Sequence, residues 1–278
     1  MKLTEAIAEV SDRFAKAGIV SHQADAEILL SHLTDRTRGE LLAAAAVGEE
    51  CDPAVFEPDI ARRVSREPLQ HIIGKAPFRG FEVSVGPGVF VPRFETEQVV
   101  QLAIDFLRTL PTPGRAVDVG SGSGVIAISL ALETEAEVAA IETSKEAMPW
   151  LESNIAALAP GIKLLRGDFE TELAKIQNLD VVISNPPYIP ASATPIDPEV
   201  TGYDPEIALY SGEDGLDAIR ELVALAPISL RSGGLLVLEH ADGQSDAVCQ
   251  LLLEAGWRAV SAHPDPTGRL RAVTAIRK

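Results

Sequence analysis

Cysteine is scarce in this chain: Cys51 and Cys249 are the two among 278 residues. They lie far apart, without metal-ligand spacing and without the local His or Asn signature of a thiol nucleophile. A disulfide framework is excluded, and two incidental thiols in a reducing compartment are expected. Basic residues are few as well, 24 Lys and Arg against 41 Asp and Glu, for a net charge of -17. Phosphate affinity is built from Lys and Arg, so a protein whose main task is to coat nucleic acid is excluded. A small basic patch is not excluded, nor is a basic protein partner met by electrostatic steering. Long apolar runs are missing too: "LLAAAAV" is far too short to span a bilayer. The opening "MKLTEAIAEVSDRF" mixes acids with spaced apolar residues where a signal peptide needs a basic region and then a greasy block. A soluble, cytoplasmic, monomeric protein with no membrane contact and no stable nucleic-acid binding is expected.

What is present is ordinary globular material, long enough for one large domain or two ordinary ones, each with its own core. Residues 1 to about 74 read as helices alone. Leu3, Ile7, Val10 and Phe14 share one helical face, and Gly18 stops the segment. After a Ser21 start, Ile28, Leu29 and Leu33 repeat the pattern. Thr37 and Glu40 have capping-box spacing, and Asp52 with Pro53 read as N-cap and first turn of a helix carrying Phe56, Ile60 and Val64. His22 and His32 read as surface or partly buried side chains. The period changes at Lys75: "FRGFEVSV" alternates around Gly80 as a short hairpin, and "GPGVFVPRFETE" leads into a helix with Val99, Val100, Ala103, Ile104 and Leu107 inward.

Beyond "PTPG" the chain alternates strands ("RAVDVG", "EVAAIE", "IKLLRGD", "LDVVISN", "GGLLVLEH") with helical periods and ends on "RAVTAIRK". Apolar strands separated by helices mean a parallel sheet covered on both faces, a doubly wound α/β fold behind a small helical bundle. The expected boundaries are 1–74 for the bundle, 75–92 for a β-hairpin linker and 93–278 for the α/β domain.

"DVGSGSG" leaves the first of these strands and enters a helix. Glycines there permit a tight turn and let a ligand approach the backbone. The order is G-x-G-x-G over Gly120, Ser121, Gly122, Ser123 and Gly124, not the G-x-G-x-x-G of a dinucleotide site. Asp118, just before the loop, suits a cationic ligand better than a pyrophosphate. Glu142, at the tip of the next strand, can accept hydrogen bonds from both hydroxyls of a ribose. The pattern reads as a site for an adenosine without phosphate, S-adenosylmethionine; a nicotinamide or flavin dinucleotide and a purely structural loop fit less well. Strand ends in such a sheet open onto one edge, so Asp168 and Asn185 should face the same crevice. Phe169 suits stacking on an adenine, and an ordinary core position nearly as well.

"SNPPYIP" then has a chemical reading. An amide or ring amino nitrogen is planar and its delocalised lone pair attacks poorly. The Asn185 side-chain carbonyl and the Pro186 backbone carbonyl can each accept one N–H of such an NH₂ group, exposing its lone pair to a methyl donor. Pro186 and Pro187 stiffen the scaffold, and Tyr188 offers a flat face to a planar acceptor. Positioning and electrostatics then supply most of the effect. A plain strand-terminating turn is the alternative, and adenine amines of DNA or RNA fit the same tetrapeptide.

"REPLQHIIG", "FRGFEVSV", "FVPRFETE", "DVGSGSGVIAISLA", "VVISNPPYIP", "YDPEIALYSGEDGLDAIR", "GGLLVLEH" and "DPTGRLRAV" occur in this order. The series resembles the HemK (PrmC) peptide-release-factor glutamine methyltransferases over nearly the whole chain. The resemblance implies a class I S-adenosylmethionine-dependent methyltransferase sheet, Rossmann-like with its last strand antiparallel, and an N-terminal domain that helps grip a class 1 peptide chain release factor. It implies methylation of N5 of the glutamine in a Gly-Gly-Gln motif, with S-adenosylhomocysteine as the other product. Cofactor contacts carry over to Gly120–Gly124, Glu142, Phe169 and Asn185, and substrate contacts to Asn185–Tyr188. Arg93, Glu95 and Thr96 match a loop lining the same pocket. Departures are Phe94 for a usual Pro, Glu142 for Asp, Phe169 for Trp, and "LEHA" for "LEIG", which places His240, expected on the solvent side, at a strand end. The 189–215 loop, with prolines 190, 195, 198 and 205, is long enough for a lid or substrate wall, or for a plain surface connection. A nucleic-acid amino-methyltransferase and a binding module without turnover remain the competing functions.

Overall fold

In the computed structural model, residues 1–195 and 197–278 are described. Contacts divide the chain into one unit of Met1–Lys75 with Pro195–Tyr203, and a second of Ala76–Thr194 with Asp204–Lys278. The sequence reading places every residue after 93 in one domain, whereas this division assigns 195–203 to the helical unit.

In the first unit, apolar spacing of three and four puts Leu3, Ile7, Val10 and Phe14 of α1 (Leu3–Lys16) into the core. Helix α2 (His22–Leu33) buries Leu29 and Leu30, while Ile28 turns outward, against the sequence expectation. The Thr37 hydroxyl accepts from the Glu40 N–H at 3.2 Å and Glu40 accepts from the Thr37 N–H at 2.8 Å, so the capping box opens α3 (Arg38–Ala46). Asp52 caps a single 3-10 turn, Pro53–Val55, and not the helix expected there; α4 (Glu57–Val64) begins one residue after Phe56 and is followed by α5 (Leu69–Ile73). Arg63 is almost fully buried, with Asp25 and Glu199 each 2.8 Å from its guanidinium. A buried cation needs such partners, because leaving it unpaired is strongly destabilising. The Tyr203 hydroxyl donates to the Ser65 carbonyl at 3.3 Å, and Arg66 pairs with Asp197 at 3.2 Å and with Glu199 at 3.1 Å, so residues 197–203 are tied to the bundle at several points.

The second unit starts with a two-stranded sheet of β1 (Lys75–Phe78) and β2 (Phe81–Ser84). Then come α6 (Glu95–Arg108), β3 (Arg115–Val119), α7 (Val125–Glu133), β4 (Glu137–Glu142), α8 (Met148–Leu158), β5 (Lys163–Arg166), α9 (Phe169–Leu173) and β6 (Leu179–Ser184). Helix α10 (Pro198–Tyr203) is the short piece lying in the first unit. Helix α11 (Asp217–Ser229), β7 (Leu230–Glu239), α12 (Ser245–Glu254), β8 (Arg258–Pro264) and β9 (Leu270–Ile276) complete the second.

The large sheet has the order β5-β4-β3-β6-β7-β9-β8. Pairings from β5 to β7 are parallel, and β9 runs antiparallel between β7 and β8. Strand alternation sorts the core into two layers. Ala116, Ala140, Val181 and Val237 face α6, α7 and α8 through Ile104, Ile128 and Leu151. Val117, Ile141, Val182 and Leu236 face α9, α11 and α12 through Leu173, Leu222 and Leu252. The doubly wound sheet and its antiparallel final strand match the expectation. Strand β8 was not expected: "RAVSAHP" at the sheet edge lacks a buried face and so carries no apolar run. Among the described residues no helix is long and apolar enough to cross a membrane.

Candidate active site

Chain order reverses between β3 and β6: the chain runs outward from β3 to β5 and returns on the other side. Ligands of open α/β sheets bind outside the carboxyl ends of the strands at such a switch point. Val119 pairs with Ile141 on one side and Ser184 on the other, and Ser184 with Leu238. The glycine loop, Glu142, Asn185 and Glu239 therefore leave the sheet along one edge.

The loop after β3 is pinned from below. Gly120 and Ser121 N–H groups donate to the Ile141 carbonyl at 2.9 and 3.0 Å. Asn154 of α8 donates to the carbonyls of Ser123 and Ser84, each at 2.9 Å. Gly120 and Gly122 have φ of +72° and +55°, with open space where a Cβ would project, so a ligand can lie against bare backbone there. At Gly124 a Cβ would meet Leu151 at 2.7 Å, so this glycine serves close packing against α8.

Asp118 is wholly buried beneath the loop. Its Oδ2 accepts from the Ala127 N–H at 3.2 Å, while Oδ1 has no hydrogen-bond partner. Burial is the main cause that pushes its carboxyl up to about 7, against the hydrogen bonds of Ser121 and Ala127. An orphaned buried carboxylate oxygen beside two open glycines fits a cationic ligand such as S-adenosylmethionine. Glu142 is buried as well: Oε1 accepts from Thr143 and Ser144 N–H at 2.9 and 2.7 Å, and Oε2 from Gly122 N–H at 2.7 Å. Asp168 is exposed and caps α9, accepting from the Thr171 N–H at 2.8 Å. That hydrogen bond holds its carboxyl below the usual range. Phe169 is half-buried against the layer that contains Leu173.

On the other side of the switch point, Asn185 is half-buried and Pro186 buried. The Asn185 Nδ2 donates to Thr96 Oγ1 at 3.2 Å, and Thr96 lies in the first turn of α6, 2% exposed. Both side chains also favour the charged form of Glu239 at the end of β7. Glu239 is 2% exposed, its Oε2 lacks a partner, and burial, aided by the Glu95 charge, pushes its carboxyl up to about 7. Desolvation, reinforced by Glu239, pushes the Tyr188 hydroxyl above its usual range. The Tyr188 carbonyl accepts from Gln244 Nε2 at 2.9 Å. Arg93 reaches the buried Asp204 carboxylate at 2.7 Å and stacks over Phe90 at 5.0 Å, while Phe94 is exposed.

His240 is fully buried, not on the solvent side as expected. Its Nδ1 lies 2.8 Å from the Ala241 carbonyl, its backbone N–H pairs with Arg271, and burial lowers its pKa. Glu239, Gln244, Asn154 and Asp204 were not among the sequence candidates. The rule that picked out Asp118 and Glu142, an acid at a strand tip, applies equally to Glu239 in "LVLEH". Among the described residues no group of three or more His, Cys, Asp and Glu is placed to hold a metal ion.

Comparison with known proteins places this geometry. The model for the PrmC N-terminal domain matches residues 5–74, and that for the methyltransferase small domain matches residues 80–197. The chain is 43% identical over 274 residues to a release factor glutamine methyltransferase of Streptomyces coelicolor, covering 97% of this chain and 96% of that one. It is 39% identical over 281 residues to one of Corynebacterium glutamicum, covering 99% of each. Among solved structures, a 16S rRNA methyltransferase of T. thermophilus in complex with AdoMet and guanosine superposes with TM-score 0.53. Its 20% identity, over 73% of this chain and 50% of that one, speaks for the fold alone.

Proposed function

This chain belongs to the release factor glutamine methyltransferases, and from that premise we propose that it methylates the side-chain amide nitrogen, N5, of the glutamine in the Gly-Gly-Gln motif of a class 1 release factor. S-adenosylmethionine, when bound, supplies a methyl carbon made electrophilic by a positive sulfur. The single observation that carries the site reading is the hydrogen bonding of Asn185. Its NH₂ end is taken up inside the protein by Thr96, which leaves the Oδ1 end to accept an N–H from an incoming carboxamide. The Pro186 carbonyl accepts the second N–H, and Pro187 with Tyr188 wall the planar group.

Gly120, Ser121, Gly122, Ser123 and Gly124 cradle the donor on open backbone, Asp118 answers its positive charge, and Glu142 holds the ribose. Asp168 and Phe169 flank the adenine side, and Arg93 with Glu95 borders the substrate. The helical unit contributes to release factor binding, in a monomeric cytoplasmic enzyme without stable nucleic-acid contacts.

The test incubates the protein with labelled donor and either a purified release factor or tRNA and DNA, followed by mass spectrometry of the factor's peptides. One added methyl on the Gly-Gly-Gln peptide is expected, and label confined to nucleic acid overturns the proposal. Asn185→Ala should lower kcat by at least about 10²-fold, as loss of one preorganised polar contact to reacting atoms does. Its fold should stand, because Asn185 lies beyond the end of β6. Near-full activity of that variant removes Asn185 from the mechanism.

A further inference from the structure

We infer that Thr96 and Glu239 form a positioning pair that fixes which end of the Asn185 carboxamide faces the substrate. The inference rests on the reading of Asn185 as the group that accepts the substrate N–H, and it goes beyond that reading by naming what aims it.

An asparagine amide is nearly symmetric in shape and opposite in function at its two ends: one accepts, the other donates. Flipped by 180°, Asn185 would present N–H groups to the N–H groups of the acceptor, which repels the substrate. Rotation about χ2 is soft, so the orientation needs an outside cause. The structure supplies two acceptors on the inner side. Thr96 Oγ1 takes one Asn185 N–H at 3.2 Å. The buried Glu239 carboxyl lies next to this pair, and its charged form is favoured by donation from Thr96 and from Asn185. The hydroxyl thus acts as a one-way relay, accepting from Asn185 because it is already donating to a carboxylate. Both residues are 2% exposed, so water does not compete for these positions.

Arg271 favours the Glu239 charge only from a distance, without a hydrogen bond to it among the described residues. A carboxylate at a strand end inside the protein is destabilising unless its bonds are made, yet Oε2 has no partner. A leucine would fill that space without a buried charge, whereas a carboxylate supplies a strong acceptor for the two donors. Thr96 accordingly acts through Asn185 and not on the substrate directly.

Protonation of Glu239 would remove an acceptor and free the Thr96 hydroxyl to turn. The charged and titratable groups around it are Glu95 in the first turn of α6, Tyr188 beyond β6, Arg271 of β9 and His240 next in the chain. Burial pushes the Glu239 carboxyl to about 7, so kcat should fall as pH drops through that region.

The experiment uses the full chain with S-adenosylmethionine and a purified release factor. Thr96→Val keeps the shape and loses the hydroxyl, Thr96→Ser restores the hydroxyl, and Glu239→Gln keeps one acceptor oxygen without the charge. For Thr96→Val, kcat should drop about 10²-fold, the scale expected when a reacting group is misplaced, with donor Kd by calorimetry and release factor KM unchanged. Thr96→Ser should regain most of that loss, which a mere packing defect would not allow. Glu239→Gln should lower kcat and abolish the acid limb of the kcat profile. A Thr96→Val enzyme with wild-type kcat, a loss confined to KM or Kd, or an acid limb surviving in Glu239→Gln each overturns the inference. Asn185→Ala, run in parallel, separates the layers. An active Asn185→Ala enzyme sinks the underlying site reading, whereas an inactive one beside an unimpaired Thr96→Val enzyme sinks this inference alone.

Discussion

Glu142 reaches further than an aspartate at the same strand tip could. One carboxylate oxygen is held by the N–H groups of Thr143 and Ser144, and the other spans to Gly122 at 2.7 Å. The extra methylene lets the side chain fasten the glycine loop to β4 while its carboxylate stays in the crevice. Removing it should hurt the donor and spare the chemistry. Glu142→Ala is expected to raise the donor Kd by about tenfold or more, as loss of a charge-assisted hydrogen bond or two implies, with kcat at saturating donor little changed. Calorimetric titration with S-adenosylhomocysteine checks this, and an unchanged Kd would take Glu142 out of the binding site. Asp118 and Glu142 were legible in the sequence because acid, strand end and glycine loop adjoin along the chain. Asn154 was not, since it meets Ser123 and Ser84 across 31 and 70 residues. Glu239 obeyed a legible rule but was passed over, and its neighbour His240, expected on the solvent side, is in fact buried.

The two ends of the long connection from β6 to α11 meet closely, Gly215 against the peptide of Tyr188. Gly215 has φ of +80°, and a Cβ there would stand 2.3 Å from the Tyr188 carbonyl oxygen and 2.9 Å from Gln244 Nε2. Gln244, just before α12, donates to that same carbonyl. The end of the loop thus presses on the peptide that carries Tyr188, with glycine required by both space and φ. Gly215→Ala should therefore either unfold the junction or push Tyr188 out of place. Lower thermal stability together with reduced kcat is expected, and a variant with wild-type melting and turnover would show that Tyr188 has slack. The sequence offered a proline-bearing connection long enough for a lid or substrate wall but no hint of which backbone atoms meet. The strands of the sheet interior were legible because burial on two faces leaves continuous apolar runs. Strand β8 and helices α9 and α10 were not, because an exposed edge and five- or six-residue helices carry no period long enough to read.

At the scale of the whole molecule, charge governs how stability follows pH. Asp118 and Glu239 are buried carboxyls raised from 3.8 and 4.5 to about 7. Between the unfolded and folded values the folded chain holds protons that the unfolded chain has released, so stability falls as pH rises from about 4 to 7. Above 7 both states are ionised and the penalty is complete, about 1.4 kcal/mol for each unit of displacement. The formal charge of -17 adds repulsion in the same direction. Paired carboxylates work the other way at lower pH: the hydrogen bond from Arg220 holds Asp214 at about 2, and its contribution is lost only as pH falls through that range. The ligand-free protein should therefore be most stable near pH 4, with a melting temperature several degrees above that at pH 8, given roughly 2–4 °C per kcal/mol for units of this size. Asp118→Asn should raise melting more at pH 8 than at pH 4, and should weaken donor binding, because the charge that burdens the free protein is the one that answers a cation. S-adenosylmethionine, for the same reason, should stabilise the wild-type protein more at pH 8 than at pH 5.5. Differential scanning fluorimetry across that range decides the matter: a melting temperature that climbs steadily from pH 5 to 8 would mean that the buried carboxyls titrate as if exposed, and Asp118 could not be the counter-charge.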